Sequence, residues 1–169
     1  MKNRIYPLLF SFVDKHYPKI LFAERISMVV LIIGVLIYHF EHANYSFLIV
    51  PGSILAAIAY FISSYRHIET ENFETTGILN SVGFINFIYK LTFYSLVIGS
   101  LALLGLVFNI KKFNPYIFSA GFTLISTLII SLITKINDRT IIYNSAFYLR
   151  ILIMLILLSY LLLVNYNKI

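Results

Sequence analysis

Arg150 is the ionisable residue whose position asks most for an explanation. It lies about five residues inside an apolar block that continues unbroken from Ile151 to Leu158. A charge at that depth costs several kcal/mol unless it is paired or its side chain reaches the headgroups, so it marks a structural ion pair or a functional site. Glu24, just ahead of the first apolar block, is the natural partner, and Asp138 is the runner-up. A second group is His39, Glu41 and His42, where the two histidines are spaced i, i+3 on one helix face. Such a pair could take a metal or respond to pH. The residues expected at the same level, Asn44, Lys111, Lys112 and Asn114, are poor further ligands. Solvated interfacial histidines are the simpler reading, and no metal is assigned.

A third group is the hydroxyl series Ser119, Thr123, Thr127 and Ser131, at four-residue steps along one apolar block. In lipid, small polar residues let helices approach closely and exchange weak hydrogen bonds. A polar conduit is the competing reading, but an ion path ordinarily carries stronger polar groups at mid-depth. Glu69, Glu71 and Glu74 fall in a polar stretch with no Gly-rich phosphate loop and no Gly-x-Ser-x-Gly elbow beside them. They read as a solvated acidic face or a docking site for a basic partner. The chain has no cysteine, which removes thiolate metal sites, disulfides and a cysteine nucleophile. No catalytic residue and no cofactor is therefore expected.

The elements that must position these residues are set by composition. Of 169 residues, 60% are hydrophobic and 12% charged, about half the charge of an ordinary soluble domain. Mean hydropathy is +0.88. The apolar residues gather into blocks of roughly 20, the thickness of a bilayer in helical residues. The blocks predict an all-α integral membrane protein, a polytopic bundle of about five transmembrane helices over 26–43, 47–64, 91–110, 116–134 and 145–164. The first two form a hairpin (26–64) and the next two another (91–134), with a polar loop at 65–90 between them. Residues 1–20 are expected as a separate segment on the membrane surface. A four-span arrangement would lay one block on that surface instead.

The net charge of +6 needs no nucleic-acid partner, because basic residues collect in the cytoplasmic loops of membrane proteins. In the five-span arrangement ten Lys and Arg fall on the N-terminal side and three on the other. That asymmetry puts the N-terminus in the cytoplasm and the C-terminus outside. There is no Trp, so Tyr must build the interfacial belts. Tyr38, Tyr45, Tyr116 and Tyr166 fall near one set of span ends, and Tyr65, Tyr89, Tyr94, Tyr143 and Tyr148 near the other.

The two hairpins resemble each other. Gly34, Tyr38 and Asn44 lead to Gly52 in the first; Gly105, Phe108 and Asn114 lead to Gly121 in the second, which is two residues shorter. The stretch from Gly105 to Gly121, and more loosely Gly34 to Gly52, is similar to the N-terminal membrane hairpin of the GldL-type subunit of the gliding-motility and type 9 secretion motor of Bacteroidota. The resemblance covers two segments of about forty residues and implies a related hairpin scaffold. It departs from that family where it matters: the family carries a carboxylate inside its second helix, whereas Ser53-Ile54-Leu55-Ala56-Ala57-Ile58-Ala59 and Thr123-Leu124-Ile125-Ser126-Thr127-Leu128 contain none. The family's long cytoplasmic extension is missing as well.

The expected function is a non-catalytic membrane subunit, a scaffold or accessory component of a larger complex in a bacterial cell membrane. Its partners would be the lipid bilayer and other membrane proteins or further copies of itself. The alternative is a small homo-oligomeric transporter or channel, which the hydroxyl series, Pro51-Gly52 and the hairpin repeat favour. A membrane enzyme using His39, Glu41 and His42 ranks third.

Overall fold

Backbone groups in lipid have no water to bond, so an apolar block of this length must satisfy them internally, and a helix does so. The computed structural model describes residues 5–41, 46–66, 82–108, 113–138 and 145–166, and these are almost entirely helical. The helices are α1 (Ile5–Glu41), α2 (Ser46–Ser63), α3 (Val82–Ala102), the single-turn α4 (Gly105–Phe108), α5 (Asn114–Asp138) and α6 (Ser145–Tyr166). Among the described residues four apolar stretches are long enough to cross a membrane: Phe10–Phe40, Gly83–Phe108, Asn114–Thr134 and Ser145–Val164. The apolar stretch of α2, Phe47–Ser63, is shorter.

The α2 helix packs within the bundle, between α1 and α3. Gly34 of α1 and Gly52 of α2 make a reciprocal close approach. A Cβ on Gly34 would stand 3.0 Å from Ile49 Cγ1, and one on Gly52 would stand 3.2 Å from the backbone nitrogen of Leu31. The two helices therefore run antiparallel along their length. On its other side α2 meets α3, with the Tyr60 and Phe93 rings 6.1 Å apart. The α3 helix is central: 56% of its span is buried, against 33% for each of the other three. It packs on α2, α5 and α6. Pro115 falls in the first turn of α5, where its missing N–H costs nothing. Phe40, Phe122 and Ile156 are each at least two-thirds exposed, an outer surface fit for lipid and not for water.

Two expected boundaries need correction. Residues 1–20 are not a separate surface segment: from Ile5 they are the opening turns of α1, which continues through Pro18. At 37 residues α1 is about 55 Å long, well beyond a hydrocarbon layer of about 30 Å. The overhang is held by cation–π contacts. The Arg66 guanidinium lies 4.1 Å over the Tyr17 ring, and Lys90 Nζ lies 5.7 Å from the Phe10 ring. The second correction concerns the polar loop 65–90 and the hairpin 91–134. The third helix begins at Val82, because Ile85, Ile88 and Tyr89 bury against the bundle and Lys90 is only half-buried, its ammonium over an aromatic ring. Tyr89, expected in an interfacial belt, is 5% exposed and packs at a tilt on Phe93, with ring centroids 4.6 Å apart.

The far end of this third span tightens. The N–H groups of Leu104, Leu106 and Val107 donate to carbonyls three residues back, at 3.0–3.1 Å, which separates α3 from α4. Phe113 then folds over Gly105, where a Cβ would meet the phenylalanine at 3.2 Å. The glycines of the two hairpins are not equivalent: Gly34, Gly52 and Gly105 are contact points, while nothing lies within 4 Å of the Cβ position at Gly121.

Candidate functional site

Glu24 and Arg150 meet inside the bundle. They come from α1 and α6, are 126 residues apart in the chain, and are 4% and 9% exposed. Arg150 Nε donates to Glu24 Oε1, and Nη2 donates to Oε2 at 3.1 Å. This two-pronged geometry is the strongest that a guanidinium and a carboxylate form. The Arg150 side chain thus turns inward to a partner and does not snorkel to the membrane surface. Its guanidinium carbon also lies 5.6 Å from the Phe93 ring centroid on α3. Phe93 in turn packs on Tyr60 of α2, so the pair draws in α1, α2, α3 and α6.

Local sequence explains the placement. Glu24 is followed by Ser27, whose hydroxyl donates to the Glu24 carbonyl at 2.8 Å, and by Met28 and Leu31 on the same buried face of α1. On α6, Phe147, Arg150, Ile151 and Met154 form the buried stripe at three- and four-residue steps. Taking two charges into a low-dielectric interior costs several kcal/mol each, and the paired geometry offsets that cost with little net gain. Both carboxylate oxygens of Glu24 are engaged by the guanidinium, which does not leave it poised as a general base.

At the far end of the bundle a second polar contact joins the same two helices. His39 Nδ1 and the Tyr160 hydroxyl are 3.2 Å apart, with their rings edge-on at 5.6 Å. Two links, Glu24–Arg150 and His39–Tyr160, ascend both chains in the same order, so α1 and α6 are parallel. That is the direction five crossings require. Of the remaining metal candidates, Glu41 closes α1 and His42 lies outside the described residues. Among the described residues no group of three or more His, Asp or Glu is arranged to hold a metal. The acidic trio Glu69, Glu71 and Glu74 also lies outside the described residues.

The hydroxyl series on α5 does not keep one environment. Ser119 is exposed, Thr123 half-buried, and Thr127 and Ser131 fully buried. Four-residue steps drift about 40° each around a helix, so the series winds about 120° from lipid into the core. Thr123 donates to the Ser119 carbonyl at 2.8 Å, Thr127 to Leu124 at 3.1 Å and Ser131 to Leu128 at 2.9 Å. Their donor needs are met within α5. Thr127→Leu is expected to lower stability by about 1–3 kcal/mol through overpacking, and Ser119→Leu to stay within about 0.5 kcal/mol. Thermal unfolding in one detergent compares the two; equal small losses would mean that Thr127 has room around it.

Two participants were not singled out from the sequence, Tyr60 and Tyr160. Each is a hydroxyl carried within an apolar run, Ile58-Ala59-Tyr60-Phe61 and Leu158-Ser159-Tyr160-Leu161. Comparison of the chain with protein-family models, curated proteins and solved structures gives no match.

Proposed function

We propose that this multi-pass protein is a non-catalytic subunit of the cytoplasmic membrane, acting as a scaffold or accessory component of a larger complex. In this reading the N-terminus is cytoplasmic and the C-terminus outside, following the distribution of Lys and Arg. The observation that carries the proposal is that the described ionic pair inside the bundle is consumed by the fold: Glu24 is neutralised by Arg150. The hydroxyls of α3 and α5 are likewise spent on their own helices. The similarity of residues 105–121 to the GldL-type hairpin extends the proposal to a related scaffold without that motor's second-helix carboxylate. A second reading, a small homo-oligomeric transporter or channel, is favoured by one observation: Ser53, Tyr60 and Ser63 of α2 carry buried hydroxyls with no partner among the described residues.

Purification of the tagged chain from its native membrane in a gentle detergent tests the proposal. A foreign membrane protein at fixed stoichiometry is the expected result. A clean homo-oligomer without companions would overturn the accessory role and make flux into liposomes the next measurement.

A further inference from the structure

A hydroxyl buried in a lipid-embedded bundle needs a hydrogen-bond partner, and hydrocarbon supplies none. Among the described residues, the buried serines and threonines of α1, α3 and α5 meet that need locally. Ser27, Thr92, Ser95, Ser100, Thr127, Ser131 and Thr134 each donate to a carbonyl three or four residues back. The exceptions all lie on α2: Ser53, Tyr60 and Ser63, each 0% exposed.

These three share a face. At 100° per residue they occupy an arc of about 80° and extend over about 15 Å of helix. The face meets α3, since Tyr60 packs on Phe93 and the Tyr89 hydroxyl lies 3.5 Å from the Ser63 carbonyl. The same antiparallel register brings Ser53 level with Ser100. Between the hydroxyls, α2 presents Ala56 and Ala57, both buried and both small. A serine can turn back to its own helix, as Ser100 does, but a phenol at the end of a rigid ring cannot. Tyr60 therefore carries the argument. It shares the Phe93 ring with Arg150, and the charges of both Glu24 and Arg150 act on it.

We infer that the α2–α3 seam is a water-binding site, where bound water takes up the Tyr60 hydroxyl and links it to the Glu24–Arg150 pair, with Ser53 and Ser63 extending the hydrated file. Water held inside a protein needs two to four polar partners; the seam offers the phenol and the serine hydroxyls, and the unused lone pairs of the Glu24 carboxylate on α1 would complete the set. The water would part-solvate the ion pair and lower the cost of holding it in the membrane. The inference stands whether or not the chain has a protein partner.

Solid-state NMR of the full chain in lipid bilayers, labelled at Tyr and Leu, tests it by following magnetisation passed from water. The Tyr60 signal, identified by its loss in Tyr60→Phe, is expected to rise from water well before that of Leu124, which is also 0% exposed. A Tyr60 signal that rises no faster than Leu124 overturns the inference. Tyr60→Phe supplies a second readout, since the ring is retained and only the hydroxyl is lost. Its melting temperature is expected to fall by about 2–4 °C. A rise would overturn the inference, because deleting a dry, unmatched hydroxyl stabilises.

Discussion

Glu24→Ala is expected to destabilise the folded bundle by about 3–5 kcal/mol, because it leaves the Arg150 guanidinium buried without its counter-charge. Arg150→Ala should cost a similar amount through the stranded carboxylate. The double replacement Glu24→Leu with Arg150→Met is expected to recover most of the loss, since a well-packed apolar pair of like volume is often as stable as a buried ion pair. That non-additivity separates a mutual interaction from two independent packing losses, which would sum. Reversible unfolding in mixed micelles, followed by circular dichroism, measures all three variants. If Glu24→Ala fell within about 0.5 kcal/mol of the parent, the pair would have to be hydrated from the membrane surface, contrary to its burial.

Gly52→Leu is expected to cost about 1–3 kcal/mol, while Gly121→Leu stays within about 0.5 kcal/mol. The two glycines occupy matching places in the hairpin repeat but opposite surroundings. At Gly52 the first side-chain carbon would already stand 3.2–3.3 Å from Leu31 backbone atoms, and backbone cannot rotate aside as a flexible side chain does. At Gly121 nothing lies within 4 Å. The same unfolding assay reads both. Equal effects would show that α1 and α2 can separate at little cost, removing the close approach that keeps them antiparallel.

Much of the bundle was legible from hydrophobic blocks alone, because a span is defined by length and charge exclusion. The fifth helix, expected at 145–164, is observed as Ser145–Tyr166. Boundaries set by a charged residue were less legible. Lys90 read as the end of a loop, yet a long amphipathic side chain tolerates a place two turns inside a helix when an aromatic ring receives its ammonium. The N-terminal segment was misplaced as well: α1 runs on through Pro18, and contacts from Arg66 and Lys90 hold its opening turns against the bundle. The meeting of Glu24 with Arg150 could be anticipated, since two opposite charges at similar depth in lipid have few other options. The His39–Tyr160 contact could not, because a tyrosine in an apolar run looks like core until its neighbour is known. The hydroxyl series of α5 looked uniform at four-residue spacing, and only the 40° drift per step separates its lipid-facing start from its buried end.

The sequence separation of the ion pair has a consequence for how the protein is made. Glu24 enters the membrane with the first helix, whereas Arg150 emerges 126 residues later. At ordinary rates of synthesis that is an interval of roughly 6–25 s. Throughout it the carboxylate must remain near the headgroups or be shielded by another protein. Insertion of α6 is then the event that locks the earlier helices in place, and a nascent chain stalled before Arg150 presents an unmatched acidic group in its first span, a mark by which membrane quality control can distinguish unfinished chains from finished ones.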